Sequence, residues 1–503
     1  MLQIKNKFII YQFDLINMKE YDVTIVGLGP TGGTIANLFA LNGFSVLILE
    51  REKNFYPLPR AVHFDDEIMR VFETIGITND FLKYTIINKG TKFVNSKGKI
   101  ILDWPRPRKI TINGWYPSYR FNQPDLERQL RKKLKKYKKV KILQNSEVTK
   151  IKNCKDHVKV LFKNIKDKTL YEIKSKYVVG CDGANSSIRK EMKTKMDNLG
   201  FTQKWAVVDL ILKKNKKNLP DRTIQYSNPK QPATYCRNVG KRRRWEFAIK
   251  NNQNENKILS ETYIWNFLKP WLKKSEAYIE RKAIYTFKSA ISRKWRRGRI
   301  FIAGDAAHLM PPFMGQGMCA GIRDASNLAW KIVKCLKRKH DKKILDSYQS
   351  ERFSNAKEYI ETTMRMGEFV NAIESTQITD NISSNQDGTK SMQSIKPKLG
   401  PGLGENKDNN RGVILPKLKM KNGKSFDDKF SKNLLLIIAS ELKHKSKLSK
   451  FPTIIDNEVV GLSKILKSYK SKAIIVRPDR FIFQSCNSVK NFSKFLKKLN
   501  NFN

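Results

Sequence analysis

Residues 21–50 read YDVTIVGLGPTGGTIANLFALNGFSVLILE. The run 21–27 is a continuous, β-branched apolar segment, the pattern of a strand buried on both faces. It breaks at Gly27, and 31–42 follows with helical apolar spacing that stops at Gly43. FSVLILE (44–50) is a second buried strand, ending on the acid Glu50. Two such strands joined by a helix must lie parallel, which makes a βαβ unit and predicts an α/β, Rossmann-like fold. Gly27-Leu28-Gly29-Pro30-Thr31-Gly32 then sits where a dinucleotide fingerprint belongs, between strand and helix. Gly27 allows the tight turn, Gly29 lets backbone N–H groups approach a pyrophosphate, and Gly32 with Gly33 lets the helix pack close. The helix N-terminus faces the phosphates, and Glu50 can accept hydrogen bonds from an adenosine ribose.

The fingerprint occurs once. Gly315-Gln316-Gly317 does not follow a strand directly, and Pro401-Gly402-Leu403-Gly404 lies in a loop. The nucleotide held at the N-terminus is therefore expected to be tightly bound, and any second dinucleotide to bind without its own Rossmann unit. That favours FAD over NAD as the occupant. A second cofactor-type signal is GRIFIAGDAAHLMPPFMGQGMCAGIRD (298–324). It reads as a buried strand, an acid at Asp305, a proline-braced loop and a glycine-opened helix. The order puts Asp305 and a free helix N-terminus around one small volume.

Together with GCDGANSSIRK (180–190), these segments resemble the three blocks of the single-component FAD-dependent aromatic hydroxylases, the para-hydroxybenzoate and phenol hydroxylase family. The resemblance spans roughly residues 20–370. YPLPRAVHFDDEIMRVFETIGI (56–77) and YRFNQPDLERQL (119–130) narrow it toward 3-(3-hydroxyphenyl)propionate hydroxylases. The resemblance implies FAD as cofactor, NADH or NADPH as co-substrate, and O2 and a small phenolic acid as the other reactants. It implies a reaction through a flavin C4a-hydroperoxide. It places Asp182 and Gly183 near the pyrophosphate, Asp305 on the ribityl chain and Pro312 beside the isoalloxazine. Gly315, Gln316, Gly317 and Met318 would offer backbone N–H groups to the flavin's pyrimidine edge, where a helix N-terminus stabilises the charge of the reduced ring. Arg51 and Gln123 match positions that contact FAD, and Arg60 a basic position near flavin and pyrophosphate.

The residues allow plainer readings as well. Asp182 could simply make a turn, Asp305 an N-cap and Arg60 a surface ion pair. His308 reads as structural. His63, Asp65 and Asp66 either position flavin or substrate or merely start a helix, with Asp66 as its cap. The base that would activate the phenol is not identified; Tyr119, Tyr285 and Asp65 are weak candidates. Arg242–Arg244 beside Trp245 could meet a substrate carboxylate, but a solvated strand edge is the simpler reading.

The expected organisation is an FAD-binding domain in two parts (18–200 and 291–373) around an antiparallel substrate-binding sheet (201–290). A polar, Gly/Pro-rich linker (374–412) and a thioredoxin-like C-terminal domain (413–503) follow. In that last domain, Val476-Arg477-Pro478-Asp479-Arg480 carries the likeness. It has no CxxC, and Cys486 stands alone, so a structural or homodimerisation role is expected rather than dithiol exchange. The six cysteines show no CxxC pair and no zinc spacing, so no metal site is expected, and a reduced cytoplasmic compartment is the simplest reading. Apolar runs are too short to span a bilayer, and residues 1–17 make a poor signal peptide, with Met18 a candidate start. The net charge of +53 is extreme, yet its lysines are spread along the chain without a nucleic-acid-binding signature. Compositional drift explains that better than a polyanion partner. Against the hydroxylase reading stand another flavoenzyme on this scaffold, halogenase- or reductase-like, and a non-catalytic basic flavin-binding protein. The halogenase signature WxWxIP is absent.

Overall fold

The computed structural model describes residues 16–17, 20–55, 57–58, 60–215, 218–250, 253–337, 342–372, 382–384, 390–392, 394–429 and 434–500. Met18 and most of 1–17, with parts of the expected linker, lie outside the described residues.

The βαβ unit forms as its pattern dictates. The strands Tyr21–Val26 and Val46–Leu49 pair in parallel, Val26 opposite Leu49, around the helix Pro30–Leu41. The parallel core is completed by Val140–Leu143 beside the second strand and by Leu170–Gly180 beside the first. Ile300–Ile302 pairs with the far side of Leu170–Gly180. That long strand works in two halves: its first half joins an antiparallel meander with Val158–Asn164, its second half the parallel core. The helices Pro30–Leu41, Gln123–Leu134 and Gly317–Lys337 cover this sheet.

A ten-stranded sheet lies beside it. Its order is His308–Leu309, Ala277–Ser292, Met196–Leu212, Arg242–Ile249, Ala233–Arg237, Thr223–Ser227, Gly90–Asn95, Ile100–Pro105, Lys390–Met392 and Ile382–Ser384. The sheet therefore draws strands from well before residue 200 and from after residue 380. Alternation gives it two apolar faces. Ala206, Val208, Leu210 and Leu212 pack with Ile264 and Leu268 on one side. Phe201, Trp205, Phe93 and Leu102 pack with Phe313, Met366 and Phe369 on the other. The second side faces the loop at 312–314 and the long helix Lys342–Ala372.

Arg242–Arg244 is not a solvated edge. Its strand is interior, flanked by Met196–Leu212 and Ala233–Arg237, and Trp245 is fully buried. The alternation of charged and apolar residues is the same for an edge and for a central strand whose charges are paired, so the pattern alone cannot separate them.

The C-terminal unit holds a four-stranded sheet in the order Thr453–Ile455, Leu435–Ile438, Ala473–Val476, Ile482–Cys486. The first pair is parallel and the others antiparallel. Two buried charge clusters join it to the rest. Asp427 binds Arg70 at 2.5 Å and Arg480 at 2.9 Å. Glu351 binds Lys331 at 2.7 Å and Arg477 at 2.9 Å, while Asp479 accepts from the Trp330 indole at 3.0 Å. No helix among the described residues is long and apolar enough to cross a membrane.

Candidate functional site

Strand register assembles the site. Val26 lies opposite both Leu49 and Gly180, and Gly180 opposite Ile302. The next residues, Glu50, Gly27, Cys181 and Ala303, therefore form one row at the carboxyl ends of four adjacent parallel strands. In open α/β sheets that edge is where ligands bind. The three separated motifs meet there, with Asp182 and Asp305 just beyond the row.

The glycines are sorted by space. Gly27 has φ +93°, and a Cβ there would sit 2.6 Å from the Cys181 carbonyl oxygen. A Cβ on Gly32 would lie 2.0 Å from the Gly27 carbonyl oxygen, and one on Gly33 3.2 Å from Leu130. Gly29, the N-cap of Pro30–Leu41, would meet nothing within 4 Å. Two glycines thus close the turn, while the third opens onto unfilled space at a helix N-terminus, a cradle fitting a pyrophosphate. Gly183, φ +79°, likewise faces open space. Gly304 and Gly321 both crowd Thr31, at 2.7 and 2.3 Å from its Oγ1 to their would-be Cβ atoms. They let the helices Pro30–Leu41 and Gly317–Lys337 touch at one point.

Glu50 accepts from the Leu28 N–H at 2.6 Å and the Glu52 N–H at 2.9 Å, so its carboxylate is fixed beside the glycine turn. Arg51 is exposed and pairs with Glu52 at 3.1 Å. Gln123 is buried, accepts from the Ala61 N–H at 2.8 Å and donates to Glu127 at 2.8 Å, which ties the 60–61 loop to its helix. Arg60 is exposed; its carbonyl accepts from Arg244 at 2.8 Å. Asp182 accepts from the Ser186 hydroxyl at 2.6 Å, the Ser187 hydroxyl at 3.0 Å and the Ile188 N–H at 3.1 Å, bracing the first turn of the short helix Ser187–Glu191, whose N-cap is Ser186.

Asp305 stands in the 3-10 turn Gly304–Ala306, its own surface open to solvent although protein surrounds it. That enclosure raises its carboxyl from the ordinary value, tempered by the charges of His308 and Arg60. An exposed acid with no hydrogen-bond or ion-pair partner among the described residues suits a polyhydroxyl ligand. His308 is structural as read: its Nε2 meets Asp324 at 2.7 Å, and Asp324 also takes the Gly304 N–H at 3.0 Å and Arg352 at 2.8 Å.

Pro312 opens the turn Pro312–Met314, which ends at Gly315 with φ +65°. The Gly315 carbonyl meets His63 Nδ1 at 3.2 Å, while His63 Nε2 meets Ser118 at 2.7 Å. A Cβ on Gly315 would sit 2.9 Å from that imidazole. Gln316 donates to Asp65 at 3.2 Å and accepts from Arg323 at 3.0 Å. Arg323 in turn pairs with Asp65 at 2.6 Å and Glu67 at 2.7 Å. The loop that precedes the helix Gly317–Lys337 is thus braced by the segment at 63–67, leaving Gly317 and Met318 to open the helix. Asp65, not Asp66, caps Asp66–Ile75, accepting from the Ile68 N–H at 3.2 Å. Burial, with Arg120 and Arg106 nearby, lowers His63 to about 3, so its ring is neutral at physiological pH.

Tyr119 stacks on Phe64 at 5.1 Å inside an apolar cluster, and its hydroxyl accepts from the Tyr116 N–H at 3.0 Å. Tyr285 accepts from Arg281 at 3.0 Å on the ten-stranded sheet. On the face that carries Trp205, register aligns Asp209 with Arg244 and Arg281, and Val207 with Glu246. Asp209 binds both arginines at 2.7 Å. Burial raises the Glu246 carboxyl, although Arg244 lies 3.6 Å away. Sequence reasoning missed Arg106 and Arg120. Arg120 sits opposite His63 in strand register and hydrogen-bonds Thr223 of the ten-stranded sheet. Only tertiary pairing brings these residues together. No group of His, Cys, Asp or Glu able to hold a metal occurs among the described residues.

Residues 20–363 match the family model described as FAD binding domain. The chain is 36% identical over 353 residues to a probable NADH-specific resorcinol 4-hydroxylase of Rhodococcus jostii (strain RHA1), covering 69% of this chain and 65% of that protein. It is 32% identical over 352 residues to a 3-(3-hydroxy-phenyl)propionate/3-hydroxycinnamic acid hydroxylase of Burkholderia vietnamiensis (strain G4 / LMG 22486), covering 70% and 63%. The match thus spans just under two thirds of those relatives. The fold is similar to that of aklavinone-11 hydroxylase in complex with FAD and aklavinone, with TM-score 0.77 at 17% identity, covering 97% of this chain and all of that one (100%). It is also similar to the flavin-dependent monooxygenase PieE in complex with FAD and substrate, with TM-score 0.78 at 15% identity, covering 96% and 98%.

Proposed function

We propose that this chain, which belongs to the FAD-binding monooxygenase family related to aromatic hydroxylases, hydroxylates a phenolic acid of the 3-(3-hydroxyphenyl)propionate type, using NADH or NADPH and O2. The observation that carries the reading is the row Glu50, Gly27, Cys181 and Ala303 at one sheet edge, next to an aromatic-lined sheet face. The adenosine ribose would be held by Glu50, the pyrophosphate by Gly29 and Gly183, the ribityl chain by Asp305, and the flavin's pyrimidine edge by Gly315–Met318. Bound there, FAD would accept a hydride and, with O2, supply one oxygen atom to the ring.

The chain's own residues have three tasks. Phe313 packs edge-on to Trp205 at 5.5 Å and to Phe201 at 5.8 Å, an apolar wall that would keep water from the reacting centre. Pro312 precedes that wall and would set the ring's position. His63, held neutral, fixes the Gly315 carbonyl and so the loop's path. We read the C-terminal unit as thioredoxin-like in strand order and structural in role. Its Cys486 is a lone thiol in contact with the Ser488 carbonyl at 3.3 Å.

The test is a screen of the purified, FAD-loaded protein over hydroxylated phenylpropanoids and resorcinol. NADH and NADPH oxidation would be followed together with product mass. The expected result is phenol-stimulated oxidation with a product one oxygen heavier. Protein that binds no flavin, or holds flavin but forms only H2O2 with every phenol, would overturn the proposal.

A further inference from the structure

Every acid on or near the inner face of the ten-stranded sheet is already matched to a cation. Asp209 holds Arg244 and Arg281, and Glu246 lies beside Arg244. Asp103 pairs with Arg222, and Asp65 with Arg323. Asp66 accepts from Thr111 and Asn113 and faces Lys396 at 3.6 Å. Two guanidinium groups are left over. Among the described residues no carboxylate lies within ion-pair distance of Arg106 or Arg120.

Both are held, not loose. Arg120 is 6% exposed; one of its nitrogens donates to Thr223, and its Nε is buried without a partner. Arg106 stacks on the buried Trp104 indole, 3.9 Å from the ring centroid. Its backbone is turned onto that ring by the close approach of Gly90, whose would-be Cβ lies 2.2 Å from the Trp104 carbonyl oxygen and 2.9 Å from the Arg106 nitrogen. Stacking occupies the face of a guanidinium and leaves its N–H edges directed outward. Register places Trp104 opposite Thr91 and Thr91 opposite Thr223, so Arg106 and Arg120 converge on one end of the inner face. Burial and the mutual repulsion of the pair lower Arg106 to about 9. Asp65 and Asp66 act on Arg106, and Glu246 on Arg120, only through space; keeping two like charges together with no directly paired acid is costly. The arrangement is that of a site waiting for an anion.

We propose that Arg106 and Arg120 read a carboxylate carried by the aromatic substrate, with the ring lying toward Phe93, Leu102 and Trp205. The inference rests on the proposed hydroxylation of a phenolic acid and assigns its specificity. A guanidinium edge binds a carboxylate through two parallel N–H bonds, which a neutral amide or hydroxyl cannot match. His63 lies between this pair and Gly315, so the carboxylate would sit apart from the loop assigned to the flavin.

The test compares wild type with R106M and the milder R120K, each as FAD-loaded protein. Three ligands are used: 3-(3-hydroxyphenyl)propionate, its carboxamide and resorcinol. Binding is read from perturbation of the flavin absorbance, and FAD affinity is measured in parallel. In wild type the acid should bind more tightly than the amide. In R106M the ratio of the acid's Kd to the amide's should rise about 30-fold, with R120K moving the same way by less. FAD affinity should hold. Loss of FAD affinity in R106M would assign the pair to the cofactor instead. Equal weakening of acid, amide and resorcinol, or wild-type indifference between acid and amide, would overturn the carboxylate reading. The binding arm remains readable where no phenol stimulates NADH oxidation, which is the separate failure of the proposed activity.

Discussion

Gly29→Ala should separate cofactor binding from folding, because the structure gives the added methyl nowhere to clash except in the space assigned to the pyrophosphate. Gly29 has φ −76°, ψ −171°, a conformation alanine adopts freely, and no protein atom lies within 4 Å of its would-be Cβ. Alanine is a poorer N-cap than glycine, so the apoprotein should lose only about 0.5 kcal/mol. A phosphate pushed off the helix N-terminus forfeits charge-assisted hydrogen bonds of about 1.5–3 kcal/mol each. Losing two at the weaker end comes to about 3 kcal/mol, or roughly 150-fold in Kd. Titration of apoprotein with FAD, followed by flavin fluorescence, gives the affinity, and urea unfolding of the apoprotein gives the stability. Gly32→Ala is the contrast: its methyl would lie 2.0 Å from the Gly27 carbonyl oxygen, so folding itself should suffer. An FAD Kd for Gly29→Ala within about threefold of wild type would refute the cradle. So would equal losses of stability in the two variants, because the two positions would then not differ in free space.

Asp305→Ala should weaken FAD retention by about tenfold through loss of hydrogen bonds to the ribityl chain; unchanged flavin content after dialysis would remove that contact. Asp427→Asn should destabilise the protein by about 3 kcal/mol by stranding Arg70 and Arg480, read as a lower urea midpoint, and a pair made together with R70M should recover part of the loss. Burial alone would raise the Asp427 carboxyl, but Arg70 and Arg480 hold it down to about 2, below its ordinary 3.8. Its share, about 2 kcal/mol, is therefore present above pH 4 and lost as pH falls through the window from 3.8 to 2; unfolding midpoints against pH for wild type and Asp427→Asn check this. His63 runs on a different window: the folded state refuses a proton down to about pH 3, while the unfolded chain takes one near 6.5. Stability should thus fall on acidification from pH 6.5, and His63→Asn should flatten that slope; an unchanged slope would mean the imidazole is not held neutral.

What the sequence made legible is local. A strand, a turn and a helix announce themselves through period and glycine spacing, so 21–50 and 298–324 could be read without coordinates. Their meeting at one sheet edge followed from the parallel order of the strands. Other features depend on register between distant segments, and register leaves no mark on spacing. Strands 90–95 and 100–105 join a sheet built mostly from residues after 196 because Gln225 pairs with Phe93, a contact no periodicity announces. The docking of the C-terminal unit rests on Arg70 meeting Asp427 across 357 residues. The same limit explains why Arg242–Arg244 read as a solvated edge: its neutralising acids, Asp209 and Glu280, lie on the adjacent strand and on the one beyond it.

The charge of the chain illustrates why a sum over the sequence says little about a site. A net +53 is spread over 99 lysines and arginines, and exposed charges are screened within about 10 Å at moderate salt. Any one of them contributes little to recognition. Buried charge obeys a different rule, because desolvation forces each cation to find a partner or to bear several kcal/mol of cost. Applied residue by residue, that rule clears Arg222, Arg244, Arg281 and Arg323, each of which faces an acid. At the inner face of the ten-stranded sheet it leaves the half-buried Arg106 and the buried Arg120, one stacked on Trp104 and one hydrogen-bonded to Thr223, whereas buried Arg243 gives its N–H groups to the Gly240 and Arg242 carbonyls. On the proposed reading, a carboxylate on the substrate would be the counter-ion that completes the balance. The local deficit of negative charge, not the global excess of positive charge, therefore points to what this site would select.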